Sequence, residues 1–86
     1  MYPVYLIVNK SEPKYLFSWD KEGPECEILL REYYPNTQNE FFCKMKGDMA
    51  RRKFRKGDYV FAKLKFMVRV DIDGNYFQEI LIENIE

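Results

Sequence analysis

Short apolar runs and segments in which apolar and polar residues alternate recur along this chain of 86 residues, and both patterns are typical of β-strands. The pattern predicts strands at residues 4–8, 26–34, 40–46, 59–70 and 76–86, and a short strand or extended loop at 14–19. Turn residues separate these segments, and the Asp73-Gly74 pair is typical of a tight hairpin. Residues 47–58, bracketed by Gly47 and Gly57, predict a helix of one or two turns.

The predicted strand at 59–70 has two alternating sets of side chains. One set is apolar throughout and consists of Val60, Ala62, Leu64, Phe66, Val68 and Val70. The other set mixes aromatic, sulfur and cationic side chains, namely Tyr59, Phe61, Lys63, Lys65, Met67 and Arg69. Because neighbouring side chains of a strand point to opposite faces, we expect the first set in the core and the second facing solvent.

The same mixture recurs in the predicted strand at 40–46. Phe41, Cys43 and Met45 fall on one face, and Phe42, Lys44 and Lys46 fall on the other. If the two strands are neighbours, their mixed faces form one patch. In the last strand we expect Ile80, Ile82 and Ile85 in the core, with Glu79 and Glu83 facing elsewhere.

The order of the segments predicts the architecture. A chain of this length forms one domain, here residues 1–86, and a small all-β domain commonly protects its strand edges by closing into a barrel. Three main strands, a helical connection and a two-stranded hairpin follow the order of the oligonucleotide-binding (OB) fold. We therefore expect an all-β, five-stranded OB-fold barrel with one short helix between the third and fourth strands. The alternative is an SH3-like barrel, which does not usually carry a helical turn at that point.

Charge is balanced over the chain but not along it. The sequence holds 14 Lys and Arg and 14 Asp and Glu, so its net charge is zero. Ten of the basic residues and two of the acidic ones lie between Lys44 and Arg69, an excess of eight positive charges that the rest of the chain balances. A basic segment of this density attracts polyanions even in a neutral protein.

Candidates for catalysis are few. The sequence has no histidine, and Cys26 and Cys43 lack the spacing of metal ligands; we expect small buried thiols, with a disulfide as the alternative. Asp71 and Asp73 begin like a calcium loop, but no later ligands follow, and hairpin chemistry accounts for them. There is no glycine-rich phosphate loop. We therefore expect a protein that is not an enzyme and that has no metal and no cofactor.

The amino-terminal sequence indicates the compartment. The segment MYPVYLIVNK lacks a basic start, and its apolar run is too short for a signal peptide. No stretch approaches the ~20 apolar residues that a membrane span needs. We expect a cytoplasmic protein with no membrane partner.

Residues 26–86 carry several short motifs in a fixed order. They are Tyr34-Pro35, Gly47-Asp48, Lys56-Gly57-Asp58, Asp73-Gly74 and Tyr76-Phe77. In this order the segment resembles the second half of bacterial single-stranded DNA-binding proteins and, more closely, a family of small uncharacterised OB-fold proteins related to them. The resemblance implies an OB fold that binds single-stranded DNA with little sequence preference. Two features differ: Lys63 stands where those proteins often have glycine, and the sequence ends at Glu86 without their long tail.

The mixed strand faces and part of the basic run between them form the candidate binding site. Aromatic rings stack on bases, and cations contact phosphates. The candidate nucleic-acid-binding residues are Tyr59, Phe61, Lys63, Lys65, Arg69, Phe42, Lys44, Lys46, Arg52 and Arg55.

Two functions therefore compete. The first is a module that binds single-stranded nucleic acid, with DNA suggested by the resemblance, through base stacking and phosphate contacts. The alternative is a protein-interaction or homodimerising OB domain of a DNA-processing assembly, in which the outward aromatic residues contact a second copy or another protein. The fold does not choose between them, because OB barrels bind proteins, sugars and nucleic acids alike.

Overall fold

The chain is mostly β with one short helix in the computed structural model, which describes residues 3–15, 23–33 and 38–86. The strands are β1 (Val4–Lys10), β2 (Lys14–Tyr15), β3 (Pro24–Glu32), β4 (Glu40–Lys46), β5 (Tyr59–Val70) and β6 (Tyr76–Ile85). The helix, α1 (Asp48–Arg51), lies between β4 and β5. The prediction of a β-rich chain with a helical connection after its third long strand is confirmed.

Local patterning predicted most strand bounds closely. β4 and β5 have the predicted bounds, β1 runs two residues further than predicted, and β3 begins and ends two residues earlier. Of the predicted segment 14–19, the first two residues form β2, and 16–19 lie outside the described residues. α1 is a single turn that ends because Arg52 is extended.

Strand pairing brings together segments that are distant in sequence. β1 is antiparallel to both β3 and β5, β3 is antiparallel to β4, and β5 is antiparallel to β6. β4 and β6 run parallel and pair at Lys44 and Leu81, and β2 pairs with the start of β3. Each of the five long strands therefore has a neighbour on both sides, in the order β1, β5, β6, β4, β3 and again β1.

The core is built from alternate residues of the long strands and from one residue of the helix. Its buried members are Tyr5, Ile7, Cys26, Ile28, Leu30, Cys43, Met45, Ala50, Val60, Ala62, Ile82 and Ile85. The predicted inward set of β4 is confirmed, since Cys43 and Met45 are buried and Phe41 packs against the core.

A β-bulge in β6 explains the spacing of its core residues. The pairing of β5 with β6 shifts between Lys63 and Leu64, which leaves Glu83 as an extra residue in β6. An extra residue moves the alternation by one position, so Ile82 and Ile85 both reach the core although they lie three residues apart. The prediction that both are core residues is confirmed.

The apolar set of β5 is buried in its first half only. Val60 and Ala62 lie in the core, and Leu64 packs against it. Phe66, Val68 and Val70 are instead exposed. The prediction that this set is core throughout is wrong for its second half. Among the described residues, β5 beyond Leu64 pairs with β6 alone, so this part of the hairpin extends past the body of the sheet.

In the parts of the chain that the structure describes, no helix has the length and apolar character needed to cross a membrane. Among the same residues, no three His, Cys, Asp or Glu side chains form a group that could hold a metal ion.

Both cysteines are free thiols inside the core. Cys26 lies in β3 and Cys43 in β4, and both are buried, as expected from their apolar surroundings. Burial raises the pKa of Cys26 and raises the pKa of Cys43 to about 12. Because the thiolate is the reactive form, burial disfavours nucleophilic chemistry at both side chains.

We expect Cys26 and Cys43 to be protected from thiol reagents in the native state. At about pH 8, where an unperturbed thiol is partly ionised, Ellman's reagent should label the unfolded chain fully and the native chain only at the rate of unfolding. Absorbance of the released thiolate, followed with and without guanidinium chloride, measures both rates. Rapid labelling of either cysteine in native buffer would contradict the buried positions.

Candidate nucleic-acid interface

Three aromatic rings are exposed where β5 begins. Tyr59 and Phe61 are 59% and 45% exposed and pair with Leu6 and Val4 of β1. Tyr33, directly after β3, places its ring edge-on against Tyr59, with 5.0 Å between the centroids. The backbone N–H of Tyr33 donates to the carbonyl of Val4 at 3.2 Å, which holds the end of β3 beside β1. We call Tyr33, Tyr59 and Phe61 the aromatic cluster.

A groove of about 390 Å³ lies between the end of β1 and the segment that follows α1. Its lining residues are Lys10, Glu12, Pro13, Arg51, Arg52, Lys53, Phe54 and Arg55. Five cations and one carboxylate therefore face this space. We call it the basic groove.

Most of the positive charge in the basic groove is uncompensated. Among the described residues, the side chains of Lys53 and Arg55 have no carboxylate within 4.0 Å. Arg52 donates to the backbone carbonyl of Ile85, and this neutral acceptor leaves its positive charge in place. Among the described residues that line the groove, it is Arg51 that pairs with a carboxylate, that of its helical neighbour Asp48.

A tight turn joins the basic groove to the aromatic cluster. The carboxylate of Asp58 accepts the N–H of Arg55 at 2.9 Å, and the N–H of Asp58 donates to the carbonyl of Arg55 at 3.0 Å. Gly57 has φ +93°, a conformation that favours glycine. The N–H of Gly57 donates to the carbonyl of Ile7, and the N–H of Ile7 donates to the carbonyl of Asp58, each at 2.8 Å. Tyr59 follows at once, so the turn bonded to β1 connects the two features.

Several cations on the outward face of β5 and β4 already face carboxylates. The ammonium of Lys63 lies 3.5 Å from Glu83, and Arg69 donates to Glu79. Glu79 and Glu83 lie off the core face, as predicted, and it is the outward cations that they meet there. β6 lies between β5 and β4 in the sheet, so outward carboxylates of β6 share the face with the predicted cations. Lys65 has no carboxylate partner among the described residues.

Four of these charges form a continuous ladder across four strands. Arg69 of β5 pairs with Glu79 of β6, which lies 3.6 Å from Lys44 of β4, and Lys44 lies 3.7 Å from Glu25 of β3. The Glu79 side chain is only 9% exposed. The hydrogen bond from Arg69 is the main cause that lowers the pKa of Glu79; burial opposes it, and the charges of Arg69 and Lys44 lower the pKa further. We call Arg69, Glu79, Lys44 and Glu25 the charge ladder.

The structure divides the predicted site residues among three places. Tyr59 and Phe61 belong to the aromatic cluster, Arg52 and Arg55 line the basic groove, and Phe42, Lys44, Lys46, Lys63, Lys65 and Arg69 lie on β4 and β5. β4 and β5 are not neighbours, so the single patch expected from adjacent strands does not form.

Three further residues belong to the candidate interface. Lys53 was visible in the sequence as part of the basic run, and Tyr33 as an aromatic residue at a strand end. Lys10 carried no local signal, because only the pairing of β1 with β5 brings the end of β1 near the segment after α1.

No protein-family model matches this chain, and no curated protein matches it either. The basic groove and the aromatic cluster are therefore interpreted from their own geometry.

Proposed function

We propose that this chain is an OB-fold barrel that binds single-stranded nucleic acid, with phosphates in the basic groove and bases on the aromatic cluster. The strand order supports the barrel. Five long strands pair in the cycle β1, β3, β4, β6, β5 and β1, with β4 and β6 parallel and α1 between β4 and β5. A five-stranded Greek-key barrel of this kind is the OB architecture.

The observation that carries the function is the run of uncompensated cations leading into exposed aromatic rings. Lys53 and Arg55 face the basic groove without carboxylate partners among the described residues, and Tyr59 follows them after one tight turn. A single strand of nucleic acid needs both elements side by side, because its backbone is anionic and its unpaired bases present flat apolar faces.

Electrostatics favour the basic groove over the strand face as the place for phosphates. Lys63, Arg69 and Lys44 each have a carboxylate within 4.0 Å, so a phosphate that approaches them also meets negative charge. A cation without such a partner releases counterions from the nucleic acid at no comparable cost. The outward face of β4 and β5 therefore contributes less to phosphate binding than the number of its cations suggests.

The first test is a titration of the full chain with a fluorescent oligo-dT of about 15 nucleotides, a length that an OB barrel can span. We expect binding at low salt that weakens steadily as salt rises, with a slope of about −0.7 in log K per phosphate contact. Phe61→Ala should weaken binding about 5- to 150-fold at every salt concentration, because stacking on one ring is worth about 1–3 kcal/mol.

Phe42→Ala is the matched control, because Phe42 is also an exposed phenylalanine, 58% against 45% for Phe61, but lies on β4 outside the aromatic cluster. This variant should bind as the wild type does. Absence of binding at tens of micromolar protein and low salt rules out the proposed function, and equal losses in both variants rule out the aromatic cluster as the stacking surface.

A further inference from the structure

The outer half of the β5–β6 hairpin presents an apolar face to solvent. Residues 66–70 of β5 pair with residues 76–80 of β6. The side chains that share one face are Phe66, Val68, Val70, Tyr76, Gln78 and Ile80, and we call them the arm face. None of them is charged. Val68 and Tyr76 are 63% and 78% exposed.

The opposite face of the same hairpin is already engaged. There Arg69 pairs with Glu79, which also lies 3.6 Å from Lys44 of β4. These contacts hold that face of the hairpin against the sheet, whereas the arm face, which continues the core side of β5, is exposed. Within the described chain its inner edge is covered, where Ile80 packs against the core and the ring of Phe66 meets Phe41 edge-on at 5.9 Å.

We propose that the arm face is the interface with a second copy of this chain, formed around a twofold axis close to Val68. An uncharged, mainly apolar ribbon face is complementary to a copy of itself, which is what a twofold contact requires. Two such faces stack about 10 Å apart, as packed sheets do. Val68 lies at the middle of the paired segment, opposite Gln78, and therefore falls near the axis.

The exposed area fits a dimer. Phe66, Val70 and Ile72 are 56%, 57% and 101% exposed, in addition to Val68 and Tyr76. Four of these residues belong to the arm face and Ile72 lies at the tip of the hairpin, and together they leave several hundred Å² of mainly apolar surface, a size that commonly marks an interaction site. A stable interface buries ~800 Å² per partner, so this surface supplies a large part of one.

Two features of the hairpin favour a second copy over other ligands. The arm face carries no cation for phosphate or for an anionic membrane surface, and Asp71 and Asp73 at the tip repel both. A two-stranded ribbon is marginal in water by itself, so stacking on a second ribbon stabilises both. The inference does not rest on nucleic-acid binding, because the basic groove and the arm face share no residue.

Sedimentation equilibrium of the full chain, from about 1 to 500 µM, tests the proposal. We expect a reversible dimer, and Tyr76→Lys should raise its dissociation constant at least about tenfold, since two buried ammonium groups would face the interface. Phe77→Lys is the matched control, because Phe77 is the next residue and points to the opposite face, opposite Arg69. It should leave the dissociation constant within about threefold.

A second measurement does not depend on a charged variant. Val68→Cys should give a disulfide-linked dimer with oxidised glutathione, whereas Phe77→Cys should not, and the buried native thiols take no part. A monomer at every concentration overturns the proposal. A dimer that is insensitive to Tyr76→Lys, or equally sensitive to Phe77→Lys, also overturns it, because the interface then lies elsewhere.

Discussion

Replacing Lys53 and Arg55 together by alanine should weaken oligonucleotide binding roughly 50-fold near 50 mM salt, since each phosphate contact with a single strand contributes about 0.7 to the salt slope. Both side chains face the basic groove and have no carboxylate partner among the described residues. Their removal therefore takes away two full cation–phosphate contacts. The slope of log K against log salt should become less steep by about 1.4. Titrations at four or five salt concentrations measure both quantities.

Lys63→Ala with Lys65→Ala is the matched control, because this pair of changes alters the net charge of the protein by the same amount. Lys63 already faces Glu83, so at most the Lys65 contact is lost, and the slope should change by about 0.7 or less. A larger loss in this control than in the groove variant would place the phosphates along β5 instead. Circular dichroism of both variants checks that the fold is retained.

The elements of this fold could be predicted from local sequence, because alternation and turns act over a few residues. β4 and β5 were predicted at their bounds, and the hairpin turn was visible in Asp73-Gly74. Gly74 has φ +83°, and its N–H donates to the carbonyl of Asp71 at 3.1 Å. These features depend on neighbours in sequence, which the pattern contains.

The candidate site was less predictable, because its electrostatics depend on which strands are neighbours. The parallel pairing of Lys44 with Leu81 has no local signature, yet it places β6 between β4 and β5. That placement brings Glu79 and Glu83 onto the face where the sequence suggested cations alone. The basic run itself was visible, but its position beside Lys10 required the long-range pairing of β1 with β5.

Periodicity also could not distinguish a buried face from an exposed one. Val60 and Val68 belong to the same alternating set, but the first is 2% exposed and the second 63%. Alternation determines which face a side chain takes, whereas burial requires another layer of the protein over that face. The second half of the set has no such layer within the described chain, which is why it becomes a candidate for contact with a second copy.

Glu79→Ala should lower the free energy of unfolding by about 2 kcal/mol, within the range of hydrogen bonds to charged groups. The carboxylate is 9% exposed, accepts from Arg69 and lies 3.6 Å from Lys44. Its loss leaves two cations of neighbouring strands without the anion between them, at the place where β4 meets β6. Removing one partner of a partly buried ion pair lowers the free energy of unfolding more than removing one partner of an exposed pair.

Glu83→Ala is the control for position on the same strand. Its side chain is 49% exposed and lies 3.5 Å from Lys63, so we expect a change below about 0.5 kcal/mol. Urea denaturation of the wild type and the two variants gives the three free energies. Equal losses for Glu79→Ala and Glu83→Ala would show that the charge ladder contributes nothing beyond an exposed ion pair.

The contribution of the Glu79 carboxylate to the free energy of unfolding should also disappear in acid. Arg69 and Lys44 hold the folded pKa of Glu79 below its ordinary value of 4.5, so the carboxylate stabilises the fold fully above that value. As pH falls through the lower folded pKa, the native state takes up the proton and the stabilisation is lost. The difference in free energy of unfolding between the wild type and Glu79→Gln should therefore be constant from about pH 6 to 8 and shrink below about pH 4.5. A difference that persists unchanged into strong acid would mean that Glu79 acts through packing, since no charge then remains for Arg69 and Lys44 to meet.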